Sequence, residues 1–110
     1  MPKFVTIGYG DRDGYDRTAV AIRDAAHAHD EKLRKEGVLM GMAGTPVQVR
    51  NTNAIEIETT NGPFMTSSLR VAGFAIIEAA NMAEAIDLVS RTPCAVAHGV
   101  VEVWPLEAES

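Results

Sequence analysis

Three histidines, one cysteine and one isolated arginine are the side chains of this 110-residue sequence best suited to chemistry. A histidine changes charge near neutral pH and can serve as general acid or base. His27 and His29 stand in a helix-like stretch, and His98 stands beside Gly99 before the last strand-like segment. Two histidines at i, i+2 on a helix splay apart, whereas zinc takes pairs at i, i+4. His27, His29 and His98 therefore make no metal pattern, and neither a metal nor another cofactor is expected. His29 falls on an apolar stripe. Its first reading is a partly buried imidazole bonded to backbone; its second is a general base. His27 faces the charged side and is expected in solvent. His98 is either a surface loop residue or an acid–base group at a pocket mouth. Cys94 has no second cysteine, so no internal disulfide can form.

Arg70 is the only positive charge between Arg50 and Arg91, and Ser67 and Ser68 lie just before it. An arginine beside hydroxyls suits a carboxylate or phenolate. The alternative is a salt bridge to Glu56, Glu58 or Asp11. Tyr9 and Asp11 close the first strand-like segment and join this set at the rim of a sheet, so Tyr9, Ser67, Ser68 and Arg70 are the ligand-binding candidates. His98, His29 and Asp11 are the candidates for catalysis. Gly8-Tyr9-Gly10 lacks the third glycine of a dinucleotide fingerprint. Phe64 and Trp104 are expected in the core or in a subunit contact.

Bulk properties narrow the classes. One domain over residues 1–110 is expected from length. The net charge is −5, and residues 56–110 hold two Lys/Arg against eight Asp/Glu. That balance disfavours nucleic acid and anionic membrane as partners. The N-terminus lacks the apolar core of a signal peptide, no run reaches membrane-spanning length, and the lone cysteine suits a reducing, cytoplasmic setting.

The elements that must position these residues follow from pattern. Lys3–Tyr9 alternates as a strand with both faces partly apolar. After a polar turn at Gly10–Gly14, one helix is expected from Asp16 to Glu36, with Ala19, Ile22, Ala26, His29 and Leu33 inward and Gly37 ending it. Strands are expected at Val38–Met42, Pro46–Arg50 and Ala54–Thr60, the last two joined through Asn51-Thr52-Asn53 as a hairpin with Ile55 and Ile57 inward. Asn61-Gly62-Pro63-Phe64 makes a turn, since Asn-Gly favours positive φ and Pro removes a donor. A strand at Gly73–Glu78 follows, then a helix capped by Asn81 with Glu84 three residues on, running to about Arg91 and stopped by Pro93. Val100–Trp104 is the last strand and Leu106–Ser110 a short acidic tail. The order is the α+β, ferredoxin-like βαββαβ arrangement with an inserted β-hairpin. Both helices then cover one sheet face, and a second subunit is the simplest cover for the other.

Asn61-Gly62-Pro63-Phe64 resembles the Asp-Gly-Pro-Phe motif of the DGPF branch of YCII-related proteins. Lys3-Phe4, Leu33-Arg34-Lys35-Glu36-Gly37-Val38-Leu39, Gly73-Phe74 and Val101-Glu102-Val103-Trp104-Pro105 extend the resemblance over nearly the whole chain. It implies a ferredoxin-like fold that dimerises into an α/β barrel. Relatives include a dehydrochlorinase of a chlorinated aromatic for which a His–Asp pair is proposed. Here the matching histidine position is Ala26 and the relatives' Asp-Pro is Thr92-Pro93, so no catalytic residue carries over. The expectation is a homodimer that binds a small, anionic or aromatic molecule. The alternatives are a cofactor-independent lyase (dehydrochlorinase), isomerase or monooxygenase-like enzyme, and a structural interaction module. The pocket is expected between the first helix, the sheet and the segment after Pro63.

Overall fold

The structure is a computed structural model, described over residues 1–107. Strand β1 (Lys3–Gly10) is central. It is flanked by β5 (Arg70–Glu78) and β6 (Val100–Leu106), and β2 (Leu39–Met42) adds to the far side of β5. The order β2-β5-β1-β6 is antiparallel throughout and is that of a ferredoxin-like sheet. The strand predicted from Gly73 begins three residues earlier, at Arg70. A register shift at Gly8/Tyr9 places Tyr9 opposite Val71 and Gly10 opposite Arg70.

The residue alternation of β1 divides the sheet into two faces. Phe4 and Thr6 are buried beneath the helices, and Thr6 Oγ1 donates to the Ala75 carbonyl at 3.3 Å. Phe4 joins Ile77, Ala79, Ala85 and Val89 in the apolar core. The opposite face, with Val5, Ile7, Phe74, Ile76 and Trp104, is not covered by any of the described residues; Phe74 is 50% and Trp104 53% exposed.

The single helix expected over Asp16–Glu36 is instead two helices, α1 (Arg12–Arg17) and α2 (Val20–Lys35). Thr18 is extended at ψ 136, its amide bonds the Tyr15 carbonyl, and its buried hydroxyl donates to the Gly14 carbonyl at 2.8 Å. This local bonding competes with helix continuation. On α2, Ala26 and Leu33 are buried as expected, but Ile22 is exposed, as is Ala19 just before the helix. The helix ends as expected around Gly37 (φ 97), with Val38 N–H on the Leu33 carbonyl and Gly37 N–H on that of Arg34.

α3 (Met82–Val89) is capped by Asn81, whose side chain accepts from the Glu84 amide at 2.9 Å. Pro93 does not only stop this helix; it opens a further turn, α4 (Pro93–Val96), where its missing N–H costs nothing.

β3 (Val47–Arg50) and β4 (Glu58–Asn61) form a separate two-stranded ribbon. The hairpin connection is longer than expected, because a 3-10 turn takes up Thr52–Ala54 and β4 starts only at Glu58. Ile55 and Ile57 are expected inward; they are 82% and 69% exposed, because among the described residues the ribbon's strands pair only with each other. Phe64 is likewise outside the core, at 74% exposed. Of the expected acidic tail, Leu106 ends β6 and residues 108–110 lie outside the described residues.

Candidate functional site

The chain ends of three strands meet at one rim. Antiparallel pairing sets Gly10, at the end of β1, opposite Arg70, at the start of β5, and sets Tyr9 opposite Val100, at the start of β6. Tyr9 and Asp11, Arg70, and His98 are thereby drawn to the same edge from three separate places in the sequence.

Each has a defined local role. Asp11 caps α1: Gly14 N–H donates to its Oδ1 at 2.8 Å. Gly14 is buried because α1 lies against the α4–β6 connection. A Cβ on Gly14 would stand 2.6 Å from the Ala97 carbonyl oxygen and 3.2 Å from both Asp11 Oδ1 and His98 Cβ. Asp11 and His98 therefore flank one glycine. His98 is exposed and holds a left-handed φ of 63, a region uncommon outside Gly in which Asn, Asp and His are over-represented. Arg70 is exposed and makes no ion pair among the described residues, so the expected alternative of a bridge to Glu56, Glu58 or Asp11 is absent there.

Tyr9 lies on the open sheet face, and its hydroxyl donates to Glu102 Oε1 at 2.5 Å. That bond, then partial burial and the Glu102 charge, pushes the Tyr9 phenol above its ordinary value of 10.0. Ser67 is turned on its own backbone, its hydroxyl donating to the Leu69 carbonyl and accepting from the Leu69 amide. Ser68 is exposed one residue on.

The helical histidines separate as follows. His29 Nε2 is 2.6 Å from the Leu88 carbonyl oxygen, joining α2 to α3 in the backbone-bonded arrangement of its first reading. His27 is exposed as expected, yet its Nε2 lies 2.9 Å from the Tyr15 hydroxyl. The Arg23 guanidinium sits 4.6 Å from the Tyr15 ring centroid, and its Nε is buried without a hydrogen-bond partner. The Cys94 thiol lies over the glycines of β1, where a Cβ on Gly8 would come 2.9 Å from its Sγ. Burial pushes this thiol up, with a further push from Asp30. Asp30 is itself pushed up by burial, partly countered by Arg34, His27 and His29.

Tyr15, Arg23 and Glu102 carry no signal that sequence reasoning had picked up. In one continuous helix residues 15 and 27 would stand about 18 Å apart; the break at Thr18 brings them into contact. Glu102 was legible as a residue alternating with Val101 and Val103, but its pairing with Tyr9 needed the β1–β6 register.

The surface includes two hollows. One, of about 370 Å³, lies in the β3–β4 ribbon between Val47, Gln48, Arg50 and Phe64. The other, of about 560 Å³, lies between α2 and the α3–α4 segment beside Ile22, His29, Lys32, Arg91 and Val96. Neither lies between the first helix, the sheet and the segment after Pro63; the ribbon hollow touches that segment only through Phe64. Among the described residues no three of His, Cys, Asp and Glu converge as metal ligands, and no helix is long and apolar enough to cross a membrane.

Strand order and helix placement define a ferredoxin-like α+β protein. The sequence pattern of the YCII-related domain matches residues 3–108, and the chain belongs to that family. No curated protein matches it.

Proposed function

We propose that this chain belongs to the DGPF branch of its family and acts, in the reducing cytoplasm, as a homodimer that binds a small anionic or aromatic molecule at the β1 rim. The observation that carries this reading is Arg70: an exposed guanidinium, unpaired among the described residues, directly opposite Gly10 at the edge shared by Tyr9, Asp11 and His98. An uncompensated arginine beside hydroxyls is suited to a carboxylate or phenolate. Ser67 and Ser68 precede it on the same connection. The branch assignment is supported by the Asn61–Phe64 turn, with Gly62 at φ 98 as Asn-Gly-Pro requires. The dimer is supported by the uncovered sheet face, since contiguous apolar patches of this kind mark contact surfaces.

The test compares Arg70→Ala with His98→Ala by calorimetry against a panel of small carboxylates and phenolates. Arg70→Ala is expected to weaken the best anionic binder by roughly 1.5–3 kcal/mol. Its melting temperature should hardly move, because an exposed arginine contributes little to folding. Intact binding with a sharply lowered melting temperature would instead make Arg70 a structural residue and overturn the site.

A second reading is a cofactor-independent enzyme acting on the same kind of molecule by lyase, isomerase or monooxygenase-like chemistry. The placement of His98 and Asp11 on either side of Gly14 favours it, because it sets an exposed imidazole and a carboxylate at one rim. His98 is then the acid or base. Turnover of one panel member that His98→Ala abolishes while binding persists selects this reading; binding without turnover selects the first.

A further inference from the structure

We propose that the hollow between α2 and the α3–α4 segment binds a small amphipathic carboxylate, its alkyl body laid along α2 and its head held by Lys32 and Arg91. This site is separate from the β1 rim and does not rest on the reading given there.

Helix lengths make the hollow. α2 has 16 residues, whereas α3 has 8 and α4 has 4. His29 Nε2 ties α2 to the Leu88 carbonyl near the end of α3, and α4 packs on the same helix. Part of the α2 stripe thus finds no side chain opposite. Ile22, expected inward, is 50% exposed. Ala25 and Ala28 are exposed too, and with Ile22 and Val96 they line the hollow of about 560 Å³. Alanine side chains are too short to fill it. Its volume lies in the range of small-molecule pockets, roughly 300–1,000 Å³.

The charges that border it are of one sign. Lys32 and Arg91 line the hollow, and no aspartate or glutamate does. Asp24 and Glu31 of α2 fall on the neighbouring stripe, where Glu31 pairs with Arg34 at 3.6 Å. Arg91 is balanced by Asp87 at 3.4 Å, through one of its nitrogens. Lys32 makes no ion pair among the described residues, Glu36 one turn on included. The surplus at the hollow is therefore one positive charge, which suits a monoanion better than a phosphate dianion. The chain as a whole carries −5, so this positive border is a local feature.

A carboxylate on a short alkyl body satisfies both parts. The body covers Ile22 and the alanines, and each methylene it buries there tightens binding by up to about fourfold. The head pairs with Lys32, and the guanidinium nitrogens that Arg91 does not turn to Asp87 are further donors.

The experiment is titration calorimetry on the full chain with three probes: octanoate, butyrate and octan-1-ol. The variants are Ala25→Trp, Lys32→Gln and Arg70→Ala, with folding followed by circular dichroism. Ala25 and Lys32 are exposed, so their variants are expected to fold. Octanoate should bind the wild type more tightly than butyrate, and roughly twofold to fivefold more tightly than octanol, as a partly exposed ion pair allows. Ala25→Trp fills the hollow and should weaken octanoate about tenfold or more. Lys32→Gln should bring octanoate toward the octanol affinity and leave octanol unchanged. Arg70→Ala should change neither. No octanoate binding, equal affinity for octanoate and octanol in the wild type, or octanoate binding indifferent to Ala25→Trp or to Lys32→Gln would overturn the proposal. Octanoate binding lost with Arg70→Ala but kept with Ala25→Trp would overturn it in favour of the β1 rim. A rim that fails its own test leaves these outcomes untouched.

Discussion

Tyr9 and Glu102 show how one register decides a side chain's chemistry. Ile7 lies opposite Glu102, so the carboxylate stands on the same face as Tyr9 and accepts a hydrogen bond from its hydroxyl at 2.5 Å. A phenol donating to a carboxylate resists ionisation, so its pKa is raised. The stability from this bond is then present below the ordinary tyrosine range and is lost as pH rises through the folded Tyr9 value. In an ultraviolet titration of the folded protein one of the two tyrosines should ionise above the ordinary range. Glu102→Gln should return it toward 10.0. An unchanged titration in the variant would show that the bond does not persist in solution. Tyr9 was readable in the sequence as a rim residue; its partner was not, because a strand pattern carries faces and no register.

At the scale of elements, Gly14 couples α1 to the entry of β6. It is buried with the Ala97 carbonyl where a Cβ would go. Gly14→Ala must therefore push α1 away from His98, and overpacking of this kind costs about 1–3 kcal/mol. Thermal unfolding should show a lowered midpoint. A variant as stable as the wild type would mean that the α1 contact yields easily. The polar turn at Gly10–Gly14 was visible in the sequence, but the extra helix it opens was not. The first-turn cap from Asp11 and the stop at Thr18 are short local bonds, and the apolar stripe of α2 masks them.

For the whole molecule, the division between a layered body and a projecting ribbon sets where the chain opens. β1 is bonded on both sides and carries Phe4 into the core, so its amides need near-global unfolding to exchange. The ribbon loses protection by local opening. Hydrogen exchange should show β1 slowest and Val47–Arg50 with Glu58–Asn61 among the fastest. A ribbon as slow to exchange as β1 would show that it is covered in solution.

The succession of strands along the chain, the helix ends at Gly37 and Asn81, and the turn at Asn61–Phe64 were determined by the sequence alone, because each rests on residues adjacent in the chain. The ferredoxin-like arrangement followed from that order. His29 against backbone was also legible, since an apolar stripe leaves a histidine few other partners. Tertiary structure decided everything that joins distant segments. The bulge after Gly8 and the register of β1 with β5 and β6 set Arg70 beside Gly10 and Tyr9 beside Glu102. The break at Thr18 turned His27 onto Tyr15. The ribbon left Ile55 and Ile57 exposed where alternation pointed them inward. Local propensity and alternation state which residues share a face; only packing between elements states what that face meets.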